Sequence, residues 1–261
     1  MSLDGRAMAR ELLEETRVRA ARLPHAPRVV AIVSNETAAT KSYLAIKGAR
    51  AADAGCTFET RPIDAAWHDA DAVIVQLPLA AGIDQKEICD RIPLSKDADV
   101  LSNAARAAFD EGQSGALLPP VVRAVEKILS AANVSAAGKR AVVVGAGFLV
   151  GAPVANWLRR QGATVTVLTS ESQDLSALGE AEIIVSGAGS PSFIKPEMIP
   201  QGVVLIDAGT SESGGAVVGD ADPACAQKCA VFTPVPGGVG PLAVACLFEN
   251  VIALAERTMN S

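Results

Sequence analysis

The stretch from Lys139 to Leu158, KRAVVVGAGFLVGAPVANWL, constrains this chain more than any other. A run rich in β-branched residues, Ala141 to Val144, predicts a fully buried strand. It breaks at Gly145-Ala146-Gly147 and resumes as a helix with Val150, Val154 and Leu158 on one side. A glycine-rich turn between strand and helix lets backbone approach an anion and aims free helix N–H groups at it. The spacing G-x-G-x-x-x-G is one residue longer than the usual dinucleotide fingerprint, and by itself also fits a plain tight turn. The following strand, Thr164 to Leu168, ends at Thr169-Ser170-Glu171. That places an acid about 20 residues beyond the glycines, where dinucleotide sites hold a ribose hydroxyl.

The rest of the chain carries the same alternation of strand and helix. A charged helix over residues 5–22 leads to a strand at Arg28–Ser34, a turn at Asn35-Glu36-Thr37 and a helix at Thr40–Asp53. Strands follow at Thr57–Ile63 and Ala72–Leu77, with a link between them too short for more than a minimal crossover helix. Residues 78–116 are irregular, with a short helix near 84–90 and an alanine-rich one beyond it. Pro119-Pro120 opens a helix to about Ala131 that is expected to cross into a second domain, and a last apolar helix covers Leu242–Ala255. Alternation of this kind predicts an α/β fold with parallel sheets in two domains. One comprises residues 1–118 plus 241–261, and residues 119–240 form the other, Rossmann-type, domain. The 261 residues are enough to bury a core in each.

Composition excludes several classes of function. A net charge of −6 argues against a nucleic-acid footprint. No run approaches the roughly 18 uninterrupted apolar residues of a membrane span, and the acidic start MSLDGRAMARELLEE lacks a secretory h-region. Five scattered cysteines without a C-x-x-C suggest reduced thiols in a cytoplasm, with Cys225 and Cys229 as a helical i, i+4 pair. Only His25 and His68 are present, in separate loop-like contexts, which argues against a metal site or a Ser-His-Asp triad.

Four residues stand out chemically. Tyr43 precedes Lys47 by four on a predicted helix, so the two share a face. Taken alone, they also read as a half-buried tyrosine beside a surface lysine. Gln76 interrupts the apolar strand VIVQLP, where a polar group is costly unless paired; it bonds either a loop or a substrate. Asp99, in KDAD, reads in isolation as solvated charge. The segment Pro234-Val-Pro-Gly-Gly-Val-Gly-Pro241 is stiffened by prolines, and its glycines bring bare backbone close to something flat.

Together these features make the sequence resemble the bifunctional methylenetetrahydrofolate dehydrogenase/methenyltetrahydrofolate cyclohydrolase family, as a divergent and shortened member. The resemblance rests on LDG-R at the start, T-x-x-Y-x-x-x-K at Thr40–Lys47, VQLPL at 75–79 and KD-x-D at 96–99. It continues with G-x-G-x-x-V-G-x-P at 145–153, G-x-P-x-FI at 189–194, VVLIDAG, GDAD at 219–222 and TPVPGGVGP at 233–241. It implies Lys47 as the catalytic lysine, Tyr43 stacking on the pterin, Gln76 supporting Lys47 and Asp99 on the pterin's polar edge. Leu77, Pro78, Pro236, Gly237, Gly238 and Val239 would line the folate. Gly145, Ala146, Gly147, Phe148, Leu149, Val150, Thr169, Ser170, Glu171, Gly187, Ala188, Gly189 and Thr210 would hold the dinucleotide. Its implied activities are oxidation of methylenetetrahydrofolate with NAD(P) and hydrolysis of the methenyl bridge, in a homodimer with no metal. The alternative is a paralogue on the same scaffold with a changed substrate, or a binding protein without dehydrogenase activity. Three family features are replaced: Val100 stands for the glycine after the pterin aspartate, Leu118-Pro119-Pro120-Val121 for Thr-Pro-x-Gly, and Pro241-Leu242-Ala243 for Pro-Met-Thr. The arginine and second base of the NADP-using pattern are replaced by Ala146 and Glu171, which favours NAD over NADP.

Overall fold

The computed structural model describes residues 2–35, 37–213 and 216–259; Glu36, in the turn expected after the first strand, lies outside them. The chain divides into two compact units. One is Ala9–Pro120 with the residues from Val244 onward, and the other is Val121–Ala243 with the residues up to Met8. The first eight residues thus group with the glycine-turn unit rather than with the lysine unit. Part of the reason is that Ser2 bridges to Phe232, whose carbonyl accepts from Leu3 N at 3.0 Å.

In chain order, helix α1 (Gly5–Ala20) is opened by Asp4, whose Oδ1 accepts from Arg6 N and Ala7 N. Strand β1 (Arg28–Val33), helix α2 (Ala38–Asp53), strand β2 (Thr57–Pro62) and strand β3 (Ala72–Val75) follow. They form a parallel sheet of order β2-β1-β3, with β1 in the middle because Val29, Val30, Ala31 and Ile32 are apolar on both faces. Residues 63–71 contain no helix. Instead Trp67, only 8 % exposed, caps a core of Val30, Ile32, Val73, Val75, Ile88 and Leu101. A parallel bridge from Val73 to Asp97 extends the sheet by one position beyond β3.

Helix α3 (Gln85–Asp90) is capped by Asp84, and helix α4 (Asn103–Asp110) by Ser102. Helix α5 (Pro120–Ala131) starts at the boundary between the units. Beyond it lie strand β4 (Arg140–Val144), helix α6 (Gly151–Arg160), strand β5 (Thr164–Leu168), helix α7 (Ala177–Glu180), strand β6 (Ile183–Ser186) and strand β7 (Val204–Asp207). With the short β10 (Val231–Phe232) they form a parallel sheet of order β10-β7-β6-β4-β5. Successive strands run outward from β4 on one side and from β6 on the other, so the β4/β6 pair is the topological switch point. A small antiparallel pair, β8 (Ser211–Ser213) and β9 (Ala216–Val218), was not expected from the sequence. Nor do Cys225 and Cys229 share an α-helix. Pro223–Gln227 is a 3₁₀ turn opened by Asp222, and Cys229 lies past its end.

Helix α8 (Val239–Met259) is longer than expected. It is long and apolar enough to cross a membrane by length and composition, with a mean hydropathy of 1.6 over an 18-residue window. Those apolar residues are largely spent on core packing: Leu242, Phe248, Val251 and Ile252 are each at most 1 % exposed. Asn250 sits among them and donates from Nδ2 to Ala98 O and Leu118 O, both at 2.9 Å. All five cysteines are free and buried, and burial raises the thiols of Cys56 and Cys89 to about 12, so they are poor nucleophiles.

Candidate active site

In the lysine unit, the residues singled out by sequence converge at the C-terminal ends of the parallel strands. Helix α2 is capped by Thr37, whose hydroxyl accepts from Thr40 N, while Thr40 Oγ1 donates to Asn35 Oδ1 at 2.6 Å. This cap fixes where the helix leaves β1, and so where Tyr43 and Lys47 emerge on its surface. Tyr43 is 48 % exposed and Lys47 is half-buried. Gln76 follows β3 directly, is 6 % exposed, and its main-chain N–H donates to Ile32 O at 2.9 Å.

The side chain of Gln76 is fully oriented. Its Nε2 donates to Leu77 O at 2.7 Å, which turns Oε1 toward Lys47, and Lys47 Nζ donates to that oxygen at 2.9 Å. A neutral amide holds the lysine without supplying a negative charge to keep it protonated. Asp99 leaves the same end of the sheet, two residues beyond the Val73–Asp97 bridge. Burial pushes the Lys47 ammonium below its ordinary range, opposed by attraction to Asp99. Burial likewise pushes the Asp99 carboxyl up, opposed by Lys47 and reinforced by Asp97. Burial thus favours the neutral form of each group, and their mutual attraction opposes it.

The loop around Asp99 is built by Asp97. Its buried carboxylate accepts from Leu101 N at 3.1 and 3.0 Å and from Ser102 N at 2.8 Å, folding the chain back on itself. The tight return forces Val100 to φ 57, a left-handed conformation that suits glycine and is rare for a β-branched residue. This is the position where the resembled family carries glycine, so the backbone shape is present even though the residue is not. Leu77–Pro78 is a cis peptide bond, and Pro78 O accepts from Asn35 Nδ2 at 2.6 Å.

In the other unit, the glycine turn follows β4, at the switch point. Gly145 has φ 97, and a Cβ there would stand 2.8 Å from Gly187 O; a Cβ on Gly151 would stand 2.0 Å from Gly145 O. Those two glycines are required by close packing of strand, turn and helix. Gly147 differs, for a Cβ there meets nothing within 4 Å, which leaves its side of the turn open to a ligand. Phe148 and Leu149 are each 43 % exposed, and Val150 at the start of α6 makes no side-chain cap. An uncapped helix start behind an open glycine turn suits a diphosphate. Thr169, Ser170 and Glu171 form an exposed turn in which Ser172 Oγ accepts from Thr169 N at 3.0 Å and Thr169 Oγ1 accepts from Glu171 N at 3.3 Å.

Gly187, Ala188 and Gly189 follow β6, and Thr210 follows β7, at the same end of that sheet. Pro236, Gly237, Gly238 and Val239 belong to this unit too. Their segment packs on the chain's own start, where a Cβ on Gly5 would stand 1.9 Å from Gly238 O. Two buried carboxylates, Asp207 and Asp220, sit among these loops and were not picked out from the sequence. Asp207 ends the apolar run of VVLIDAG and Asp220 lies in GDAD, both quoted above as motifs and not for these carboxylates. Among the described residues, no group of three or more His, Cys, Asp or Glu could hold a metal ion.

Comparison with known proteins agrees with this geometry. Residues 119–259 match the family described as "Tetrahydrofolate dehydrogenase/cyclohydrolase, NAD(P)-binding domain". The bifunctional protein FolD of Acidiphilium cryptum is 37 % identical over 276 residues, covering 98 % of each chain. The crystal structure of the FolD methylenetetrahydrofolate dehydrogenase/cyclohydrolase of Campylobacter jejuni superposes with a TM-score of 0.94 at 28 % identity, covering 99 % of each chain. The Trypanosoma brucei enzyme, complexed with NADP cofactor and inhibitor, gives a TM-score of 0.92 at 29 % identity, covering all of this chain and 99 % of that one. On both its sequence and its fold, this chain belongs to the tetrahydrofolate dehydrogenase/cyclohydrolase family.

Proposed function

We propose that this protein oxidises 5,10-methylenetetrahydrofolate with a nicotinamide dinucleotide and hydrolyses the resulting methenyl bridge to 10-formyltetrahydrofolate. The observation that carries the reading is the 2.9 Å bond from Lys47 Nζ to the Gln76 amide oxygen, in an amide whose Nε2 is tied to Leu77 O, with Asp99 close enough to attract the lysine. When bound, the dinucleotide supplies the acceptor for the hydride leaving the methylene carbon. Asp99 accepts N–H groups of the pterin edge, and Tyr43 covers its ring. Leu77 and Pro78 provide apolar wall, and the same reading gives Pro236, Gly237, Gly238 and Val239 a folate-facing role. Water then adds to the cationic methenyl carbon, passing its proton to the neutral Lys47 amine. The carbon–N5 bond then breaks as N5 takes up a proton and the carbinol oxygen gives one up to form the formyl C=O on N10, so that the only net proton released is the one taken by Lys47. A lysine whose pKa is lowered by burial serves as base near neutral pH, a contribution of about 10²–10⁴ in rate.

The test follows the methenyl absorbance with purified protein. Lys47→Met is expected to reduce hydrolysis by about 10²-fold or more while the protein stays folded. Gln76→Ala is expected to reduce it less, through loss of orientation. Near-normal hydrolysis by Lys47→Met excludes the mechanism. Absence of turnover in the wild type with either dinucleotide supports the alternative, a paralogue with another ligand.

We further infer a preference for NAD over NADP, a homodimer paired through the glycine-turn unit, and a cytoplasmic location. Ala146 and Glu171 support the first, since neither offers a cation to a 2′-phosphate and one presents a carboxylate. The exposed edge strand β5 is consistent with the second, and five reduced, buried thiols with the third.

A further inference from the structure

We propose that Asp220 is a positioning residue for the dinucleotide, its carboxylate moulding the loop that leaves β6, with Asp207 as the anchor that aims it. The inference rests on the dinucleotide reading of Gly187, Ala188 and Gly189. Asp220 Oδ2 accepts from Ser186 Oγ and from Ala188 N, both at 2.7 Å, and Oδ1 accepts from Ser190 N at 2.7 Å. All three donors come from residues 186–190, the stretch that turns off the end of β6 at the switch point, with Gly189 at φ 65. One carboxylate thus sets the path of the backbone that the dinucleotide reading places against the cofactor.

Asp220 is held in turn by Asp207. Asp207 Oδ1 accepts from Gly209 N at 2.9 Å and from Asp220 N at 3.2 Å, and Oδ2 accepts from Ala221 N at 2.8 Å. Its own N–H donates to Thr233 Oγ1 at 2.7 Å. The acids fit only because two neighbours lack side chains. A Cβ on Gly209 would stand 2.3 Å from Asp220 Cγ, and one on Gly219 would stand 2.1 Å from Asp207 Oδ2. Both acids are almost wholly buried, at 0 % and 1 % exposure. Two neighbouring buried carboxylates are a costly way to stabilise a fold, since apolar residues of similar volume usually do as well or better. What they provide instead is a fixed direction for six donors, three to each acid, in loops at the ligand end of the sheet.

The test uses wild type, Asp220→Asn and Ser186→Ala as full chains. Binding of NADH and NADPH is read by nicotinamide fluorescence, hydrolysis of methenyltetrahydrofolate is assayed without dinucleotide, and thermal melts report folding. Asparagine offers one oxygen where the loop presents donors to two. Asp220→Asn is therefore expected to weaken dinucleotide binding by about tenfold or more and to raise cofactor KM more than it lowers kcat. Hydrolysis is expected to stay within about twofold of wild type, because it needs no dinucleotide. Ser186→Ala keeps both main-chain bonds and is expected to weaken binding by about two- to threefold. Unchanged dinucleotide affinity in folded Asp220→Asn, or loss of both activities in equal proportion, overturns the proposal. If Asp220→Asn does not fold, Ser186→Ala decides: weakened binding with intact hydrolysis supports it, and unchanged affinity overturns it. A wild type that binds neither NADH nor NADPH overturns the dinucleotide reading, and this inference with it, whatever the variants do.

Discussion

At the scale of single residues, the chemistry depends on who faces whom across the ends of a sheet. Attraction to Asp99 raises the Lys47 pKa while burial lowers it. Asp99→Asn removes the attraction and leaves the burial. The rising limb of the hydrolysis pH profile, set by deprotonation of Lys47, is then expected to move to lower pH as the maximum rate falls. A limb that stays put or moves to higher pH would show that Lys47 is not the titrating base. Glu171 supports a second expectation, that kcat/KM is greater with NAD than with NADP. Glu171→Arg should shift that ratio toward NADP by about tenfold, by replacing a repulsive carboxylate with a phosphate-pairing guanidinium. A wild type that prefers NADP, or a ratio unmoved by the substitution, refutes it. Spacing put Tyr43 and Lys47 on one helix face and Gln76 stood out by its cost in an apolar strand, while the roles proposed for them came from the family resemblance. Spacing did not reveal that the Gln76 oxygen faces Lys47, because that contact spans 29 residues and depends on strand order. Asp207 and Asp220 fell within the quoted VVLIDAG and GDAD motifs, but their part in shaping the loops was hidden for a different reason. Five of their six donors are main-chain N–H groups, which leave no pattern in side-chain identity, and the sixth, Ser186 Oγ, lies 34 residues from Asp220.

At the scale of elements, the main strands and helices followed from apolar periodicity and from the glycine and proline breaks, with ends within a few residues. The departures occur where local chemistry overrode pattern. Cys225 and Cys229 sit at helical spacing, yet Asp222 accepts from Ala224 N and sets a 3₁₀ turn that stops before Cys229. The β8–β9 pair is too short to show alternation. Asp207, at the end of β7, gives this scale a measurable signature. Burial raises its pKa from 3.8 to about 6, with three backbone donors pulling the other way. A carboxyl whose folded pKa is raised penalises the fold above about pH 6, and the penalty is relieved as pH falls toward 3.8. The difference amounts to about 3 kcal/mol at most. The stability of wild type relative to Asp207→Asn should therefore rise as pH is lowered from 7 to 4. Denaturant unfolding at several pH values measures it, and a difference that does not vary with pH contradicts it.

At the scale of the whole molecule, light scattering at micromolar concentration is expected to give twice the 26.7 kDa of one chain. A mass near the single-chain value contradicts pairing through the glycine-turn unit. Two units were legible from the sequence because strand–helix alternation restarts after Pro119-Pro120; that the first eight residues count with the later unit was not. The division has a further consequence for the order in which the protein can be completed on the ribosome. All of the glycine-turn unit has been made once Ala243 emerges, whereas the unit holding Lys47 still lacks the stretch of α8 that carries Asn250. Until then Ala98 O and Leu118 O, made more than a hundred residues earlier, lack the Asn250 amide that donates to them. Lys47 is thus made long before the unit that holds it can close, so the nascent chain can complete the glycine-turn unit while the Lys47 unit is still open.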